Sequence, residues 1–329
     1  MLTIRLALAL DTGAIVFPDT GTIAIINPGP ESDLSLLPKD RTRVVQRHFP
    51  VFQSFEARGF QVEPVLSTTP KLAVICLPRS KAEARGAIAA VARRGVETLV
   101  IDGQKTNGID SILKALRKST DVQDVISKAH GKLIVCSGNG DFGDWTVPES
   151  EPIEGRFRTV AGVFSADGID PASQALANVL PDKMSGNVVD LGAGWGFLSD
   201  RVLQNPKITQ LDLVEADHLA LDCARTNISD PRAVFHWADA LTFKPNQLAD
   251  HIVTNPPFHT SRAADPALGQ GFIRAAASML SPKGTLWLVA NRHLPYEKTL
   301  QDAFREIKSL GSTPQFKLYA AALPKKDKR

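Results

Sequence analysis

The sequence contains few of the features that mark specialised classes of protein. Only three of the 329 residues are cysteine (Cys76, Cys136 and Cys223), and their separations match no metal-ligand spacing. No apolar run approaches the ~18 residues of a membrane span. Arg5 and Asp11 interrupt the short apolar N-terminus that could otherwise suggest a secretory signal. We therefore expect a cytoplasmic protein with reduced thiols, no bound metal and no membrane association.

Neither sign of charge dominates the composition either. The chain has 38 basic and 35 acidic residues, so its net charge is +3, and its pI is about 8.7. A mildly basic chain can bind RNA, but phosphate affinity depends on local clusters of charge. Basic residues cluster at 39–48, 81–94 and 325–329, where solvated helix faces and a disordered tail are the ordinary interpretations.

The most informative segment is Asn-Pro-Pro-Phe at 255–258, which follows the apolar-rich run 250–254. Proline fixes φ, removes a backbone donor and keeps the preceding residue out of the α region. The segment therefore predicts a stiff loop at a strand end, with carbonyl groups free to point into a cleft beside an aromatic ring. Acceptors next to a flat platform suit methyl transfer to a planar NH₂ group. A proline-rich turn without a function is the simpler alternative.

A glycine-rich turn lies upstream of that segment. A short buried strand at 188–191 leads into Gly192, Gly194 and Gly196, and an amphipathic helical pattern follows at 197–203. Glycines permit a tight turn and let the backbone approach a ligand closely, with the helix N-terminus behind it. The spacing is G-x-G-x-G, which differs from the dinucleotide-binding fingerprint.

Two further strands end on acidic residues. The strand at 210–214 ends on Glu215, whose carboxylate can accept hydrogen bonds from both hydroxyls of a ribose. The strand at 234–238 ends on Asp239, which is placed to bind an adenine amino group. In an open parallel α/β sheet, ligands bind outside the carboxyl ends of the strands. Four consecutive strands with such ends therefore predict a nucleoside-containing ligand.

Together these motifs resemble the class I S-adenosylmethionine-dependent methyltransferases. Residues 162–170, 258–259 and 289–296 further resemble the ribosomal RNA guanine-N2-methyltransferases of the RsmC/RlmG type. The resemblance is specific from about residue 155 onwards and weaker in the first half. One departure is Trp195 within the glycine turn, where a bulky ring could narrow the cofactor pocket or face the core.

The resemblance implies an α/β fold with two tandem Rossmann-like class I methyltransferase domains, a degenerate one at 1–150 and a catalytic one at 155–329. Length alone also favours two domains. In the first half, a strand at 22–27 meets Pro-Gly-Pro, where a working copy needs its glycine turn. A strand at 97–102 meets residues 103–105, where we expect the counterpart of Asn-Pro-Pro-Phe. RNA docking and stabilisation of the catalytic half are both open roles for this half. Residues 140–154 are predicted to be a linker.

The resemblance also implies a cofactor, a substrate and their binding residues. The cofactor would be S-adenosylmethionine, and the partner would be ribosomal RNA or a ribosomal subunit, with the small subunit favoured. The Asn255 oxygen and the Pro256 carbonyl would accept hydrogen bonds from the guanine N2 amine. Pro257 would keep the loop rigid, and Phe258 would stack on the base. His259 would contact the substrate, and we do not expect it to act as a base. The cofactor-binding residues would be Asp190, Gly192, Gly194, Gly196, Glu215, Asp239 and Asn255.

Two alternatives stay open at this point. Asn-Pro-Pro with an aromatic residue also serves enzymes that methylate adenine N6 or a glutamine amide. A different class is a non-catalytic RNA-binding or ribosome-assembly factor on a decayed methyltransferase fold, although intact glycines and Glu215 argue against decay. Nothing in the sequence predicts the oligomeric state.

Overall fold

A computed structural model of the chain describes residues 1–146, 152–257 and 266–325. The chain divides into two compact units, Met1–Glu149 and Ser150–Arg329. Within the described ranges, every helix is too short or too polar to cross a membrane.

The first unit contains one seven-stranded sheet. Its strands are β1 (Ile23–Ile26), β2 (Thr42–Val45), β3 (Gln61–Glu63), β4 (Leu72–Cys76), β5 (Thr98–Gln104), β6 (Val122–Lys128) and β7 (Gly131–Ser137), and its helices are α1 (Leu2–Asp11), α2 (Phe49–Ala57), α3 (Lys81–Ala92) and α4 (Ile109–Ser119). The order across the sheet is β3-β2-β1-β4-β5-β7-β6. The first five strands in this order are parallel, whereas β7 runs antiparallel to both of its neighbours.

The second unit repeats this arrangement. Its strands are β8 (Gly186–Leu191), β9 (Ile208–Glu215), β10 (Ala233–Trp237), β11 (Ala249–Thr254), β12 (Leu280–Asn291), β13 (Phe304–Ser312) and β14 (Phe316–Pro324), and its helices are α5 (Pro171–Val179), α6 (Phe197–Leu203), α7 (His218–Asn227), α8 (Pro266–Met279) and α9 (Glu297–Ala303). The order β10-β9-β8-β11-β12-β14-β13 and the strand directions match those of the first sheet. The predicted fold of two tandem Rossmann-like α/β domains is confirmed.

The central strands of the second sheet are buried on both faces, which explains their apolar runs. Val188 of β8 and Val253 of β11 pack in the hydrophobic cluster that α5 and α6 join, whereas Val189 and Ile252 pack in the cluster on the side of α8. The two strands pair in parallel register, with Val253 opposite Asp190. Their carboxyl ends therefore lie side by side, where the predicted motifs meet.

The duplicated topology corrects one prediction about the first unit. Strand β4 occupies the place of β11 in the order of the strands. Asn27 follows β1 as Gly192 follows β8, and the strand pairing extended past its last pair puts Cys76 beside Asn27 and Asn255 beside Gly192. Residues 76–79 are thus the counterpart of Asn-Pro-Pro-Phe, and the prediction that residues 103–105 stand there is wrong. The predicted linker also began too early, because Phe142 and Trp145 are buried against each other in the core of the first unit.

Candidate active site

A cleft lies at the carboxyl ends of β8 and β11 in the second unit. The cleft is lined by the glycine turn at 192–195, by Asn255, and by residues that precede or begin α5, namely Asp170 and Ser173. Phe164, which is 58% exposed, borders the same cleft. Among the described residues, no group of three or more His, Cys, Asp or Glu side chains is placed to hold a metal ion.

The three glycines of the turn have backbone conformations that other residues rarely adopt. Gly192, Gly194 and Gly196 have φ of +80°, +57° and +97°. A Cβ at Gly196 would lie 2.8 Å from a methyl carbon of Ile228, so the helix packs closely there. A Cβ at Gly194 would meet nothing within 4 Å, so this part of the turn faces open space. The turn therefore offers exposed backbone to a ligand at Gly194.

Glu215 connects the glycine turn to the end of β9. Its Oε2 accepts a hydrogen bond from the Gly194 amide at 2.8 Å, and its Oε1 accepts one from the Asp217 amide at 2.7 Å. Burial raises the pKa of this carboxyl above its usual range, and the two amide bonds work in the opposite direction. Each carboxylate oxygen has a second lone pair, so Glu215 can still accept hydrogen bonds from a ligand's hydroxyl groups.

The position of the first unit that corresponds to Glu215 holds a glutamine. The Asn27 amide donates to Val45 as the Gly192 amide donates to Val214, so Gln46 is the counterpart of Glu215. Gln46 is 3% exposed; its Nε2 donates to the Pro28 carbonyl and its Oε1 accepts from the His48 amide, both at 2.9 Å. The Gln46 side chain thus donates a hydrogen bond to the loop after β1, whereas the Glu215 carboxylate accepts one from the glycine turn after β8. Both ends of the Gln46 amide are therefore engaged within the chain, and this position carries no negative charge.

Asp190 lies at the end of β8 and is completely buried. The Ser199 hydroxyl donates to its Oδ2 at 2.6 Å, whereas its Oδ1 accepts no hydrogen bond from any part of the chain that the structure describes. Burial raises the pKa of Asp190 to about 7, and the negative charge of Glu215 adds to this rise. A buried acceptor without a donor requires one, which a proton on the carboxyl or a polar group of a ligand supplies.

We expect Asp190→Asn to change how stability depends on pH. The folded-state pKa lies above the ordinary value of 3.8, so the wild-type carboxyl stabilises the fold fully below pH 3.8 and loses that contribution as the pH rises through about 7. The amide keeps an acceptor for Ser199 but does not titrate. Urea unfolding of the second unit should therefore show a smaller loss of stability between about pH 5 and about pH 8 in the variant than in the wild type. Asp302→Asn, at an exposed site, is the matched control. Parallel pH profiles for the wild type and Asp190→Asn would contradict the expectation.

Asn255 is held at one end of its side-chain amide. Its Nδ2 donates to Asp170 Oδ2 at 2.8 Å and to Ser173 Oγ at 2.9 Å. Its Oδ1 accepts no hydrogen bond from the residues described and so remains available as an acceptor. The preceding Thr254 hydroxyl donates to the Leu191 carbonyl at 2.6 Å, which fixes the end of β11 against β8. The predicted loop residue Pro256 is buried, and Pro257 is exposed.

The structure places some of the remaining predicted site residues and does not describe others. Asp239 follows β10, and its Oδ1 accepts from the Leu241 amide at 2.9 Å, which closes a local turn. Its Oδ2 accepts no hydrogen bond from a described residue. Phe258 and His259 lie outside the described residues, so the structure does not place them. Asp170 and Ser173 were not predicted as site residues, although Asp170 followed by proline is a typical helix start that could have located them.

Trp195 faces the core and holds the segment that leads to α5. It is buried, and its ring lies 5.1 Å from Phe157 and 5.9 Å from Phe197 between ring centres. Its indole N–H donates to the Phe164 carbonyl at 3.1 Å. The bulky residue in the glycine turn therefore anchors the segment that carries Phe164 beside the cleft.

Comparison with known proteins gives the family of the chain. The chain is 29% identical to the ribosomal RNA small subunit methyltransferase C of Alteromonas mediterranea over 93% of its own length and 95% of that protein. It is 32% identical to the ribosomal RNA large subunit methyltransferase G of Shewanella amazonensis, over 54% and 47% of the respective chains. Among solved structures, the T. thermophilus 16S rRNA N2 G1207 methyltransferase (RsmC) in complex with AdoMet and guanosine matches with a TM-score of 0.77 and 25% identity. The match covers 94% of this chain and 90% of that chain.

The resemblance to class I methyltransferases is thereby confirmed. The model of the family described as methyltransferase small domain matches residues 154–320, which are just over half of the chain and include the whole glycine turn, Glu215 and Asn255. The chain belongs to the methyltransferase small domain family.

Proposed function

We propose that this protein transfers a methyl group from S-adenosylmethionine to the exocyclic N2 amine of a guanine in ribosomal RNA, with the small subunit favoured. The observation that carries the proposal is the Asn255 amide, whose nitrogen is bound within the fold and whose oxygen is left as an acceptor beside the glycine turn. The similarity over 94% of the chain to a methyltransferase solved with AdoMet and guanosine supports it. Such a reaction would take place in the cytoplasm, on ribosomal RNA or an assembling subunit.

The described residues fit this cofactor. Glu215 would accept from the ribose hydroxyls, the exposed backbone at Gly194 would lie against the ligand, and Asp239 Oδ2 would accept from the adenine amine. The unpartnered Oδ1 of Asp190 supplies a buried acceptor at the base of the turn. When bound, S-adenosylmethionine provides a methyl group that its own sulfonium charge already activates, so the protein's task is to align the reactants and exclude water.

The guanine amine needs acceptors because its lone pair is delocalised into the ring and is a weak nucleophile. As the nitrogen attacks, it becomes tetrahedral and positively charged, and hydrogen bonds from its two N–H groups strengthen. We assign these acceptors to Asn255 Oδ1 and the Pro256 carbonyl. Phe258 would stack on the base, which is worth ~1–3 kcal/mol in comparable contacts. His259 would contact the RNA. No strong base is needed, because the proton becomes acidic once the nitrogen is alkylated.

The proposal is tested by identifying the methylated nucleoside. Labelled S-adenosylmethionine is incubated with the protein and with deproteinised ribosomal RNA, or with each ribosomal subunit, from cells that lack the protein. Digestion and mass spectrometry should give N2-methylguanosine, and the substrate that responds should identify the subunit. Methyladenosine, or a label in protein, would assign the site to another planar amine. No incorporation despite cofactor binding would favour an RNA-binding or assembly factor.

We further propose that the first unit docks RNA at the carboxyl edge of its sheet. Exposed basic residues follow β4 and β5 there. Others lie at the end of β6 and in the turn before β7, whose start at Gly131 pairs with Gln104 at the end of β5. Two acidic side chains at this edge are already paired: Asp102 is buried with Arg5, and Asp110 binds Lys132 at 2.8 Å. The exposed basic residues of this edge are Arg79, Lys81, Lys105, Lys128 and His130.

Replacement of Arg79, Lys81 and Lys105 by glutamine should weaken RNA binding without affecting the cofactor. We expect the KM for RNA to rise several-fold, and the slope of log K against log salt to fall by about 0.7–0.9 for each phosphate group that the variant no longer neutralises. The matched control removes Arg94, Arg117 and Lys118, which lie at the far ends of α3 and α4 in the same unit. Equal RNA affinity in both triple variants would exclude docking at this edge and leave a stabilising role.

A further inference from the structure

The Asn255 side chain can serve the proposed reaction in only one of its two orientations. A side-chain amide presents a carbonyl oxygen at one corner and an NH₂ group at the other, and a half-turn about the terminal bond exchanges them. Only the oxygen can accept a hydrogen bond from a target amine. With the NH₂ group in its place, two donors would face each other, and the positive charge that develops on the target nitrogen would be opposed.

Contacts with the start of α5 select one orientation. Both hydrogens of Asn255 Nδ2 are used, one by Asp170 Oδ2 at 2.8 Å and one by Ser173 Oγ at 2.9 Å. An ionised carboxylate can only accept hydrogen bonds. If the amide were reversed, its carbonyl oxygen would face the Asp170 carboxylate, and a charge-assisted hydrogen bond would be replaced by a repulsion between two acceptors.

The carboxylate that makes this selection is itself fixed. Asp170 is the N-cap of α5, and the same Oδ2 that binds Asn255 also accepts from the Ser173 backbone amide at 2.8 Å. The helix runs for nine residues and is packed against β12 and α6. One oxygen atom therefore joins the first turn of a rigid helix to a side chain 85 positions later in the sequence.

We infer that Asp170 is a positioning residue for methyl transfer: it holds the Asn255 amide with the oxygen available for the target amine, and Ser173 assists it. Asp170 acts through Asn255 and takes no part in the transfer. The inference rests on the proposed function only in requiring that the target is an amine, so it applies equally to guanine N2 and to adenine N6.

Two substitutions of Asp170 separate this role from capping of the helix. Serine is as good an N-cap as aspartate, so Asp170→Ser keeps the helix start but leaves no carboxylate oxygen for Asn255. Asparagine keeps a carbonyl oxygen that can accept from both the Ser173 amide and Asn255, because in the wild type both bonds end on one atom. The two variants therefore share a capped helix and differ in the acceptor that Asn255 receives.

The test compares kcat, the KM for RNA and the cofactor Kd among the wild type, Asp170→Ser and Asp170→Asn. We expect kcat to fall at least about 10-fold in Asp170→Ser, with KM and Kd within about threefold of the wild type, and Asp170→Asn to recover most of the lost turnover. Ser173→Ala keeps the backbone bond of the cap and removes only the second acceptor, so a smaller fall in kcat is expected. This third variant decides the matter if Asp170→Ser does not fold.

Several results would overturn the inference. They are an unchanged kcat in both Asp170→Ser and Ser173→Ala, an equal loss in Asp170→Asn and Asp170→Ser, or a loss that resides in cofactor affinity with kcat retained. Failure of the proposed function would be recognised separately, because it would change the methylated product made by the wild-type protein.

Discussion

Asn255→Ala is expected to lower the rate of methyl transfer about 10²–10³-fold, the range seen when one preorganised hydrogen-bonding group is removed from a transition state. Contacts with Asp170 and Ser173 at the start of α5 hold this side chain in place. In the proposed mechanism its oxygen accepts from the target amine, and that interaction strengthens only as charge develops. The cofactor Kd should stay within about threefold of the wild type, because most of the assigned cofactor contacts lie on other residues. Single-turnover transfer from labelled cofactor, with a separate binding titration, measures both quantities.

A matched asparagine is available as the control for this variant. Asn187 lies at the opposite end of β8, where its side chain bonds Gln247 and Thr209, so Asn187→Ala should leave transfer unchanged. If Asn255→Ala instead lost cofactor binding and kept its turnover at saturation, Asn255 would belong to the cofactor site alone. The acceptor role would then have to be abandoned.

Glu215→Ala is expected to raise the cofactor Kd about 10- to 100-fold, since hydrogen bonds to a charged group contribute about 1.5–3 kcal/mol. Two effects act together in this variant. The substitution removes the proposed hydrogen bonds to the ribose, and it also removes the bond that holds the Gly194 amide at 2.8 Å. Isothermal titration with S-adenosylmethionine gives the change, and Glu306→Ala, at an exposed position on β13, is the control.

A cofactor analogue without ribose hydroxyls separates these two effects. If Glu215 binds the ribose, the variant and the wild type should differ much less in their affinity for the analogue than for the natural cofactor. An equal penalty for both ligands would show that Glu215 acts by shaping the turn. Unchanged affinity of Glu215→Ala for the natural cofactor would exclude any contact.

The sequence allowed the fold of the second half to be predicted in detail because its signals are local. The strands that end before Gly192, at Glu215 and before Asn255 are apolar runs closed by glycine, acid or proline, and all were found close to their observed bounds. The fold of the first half is harder to predict from the sequence. Strands β2 and β3 have four and three residues, too few for a recognisable pattern. The predicted counterpart of Asn255 therefore follows β5, whereas the sheet order puts it after β4.

Other features could not be predicted because they depend on contacts between distant segments. The bond from Asn255 to Asp170 joins residues 85 positions apart, and no local pattern reports it. Gln46 is a single polar residue after a short strand, and its equivalence to Glu215 appears only when the hydrogen bonds of the two sheets are compared. The sequence alone does not fix the environment of Trp195, because burial of an aromatic ring beside a turn depends on which residues pack against it.

The bond between Trp195 and the Phe164 carbonyl gives the glycine turn an optical reporter of its own. Indole emission responds to its hydrogen bonding and to the polarity around the ring. The chain has only three other tryptophans, at positions 145, 237 and 287, so phenylalanine at these sites would leave a single emitter. A ligand that displaces the segment carrying Phe164 breaks or bends the 3.1 Å bond and changes the spectrum. Arrival of the cofactor and movement of this segment can then be followed in a stopped-flow fluorimeter without any attached dye.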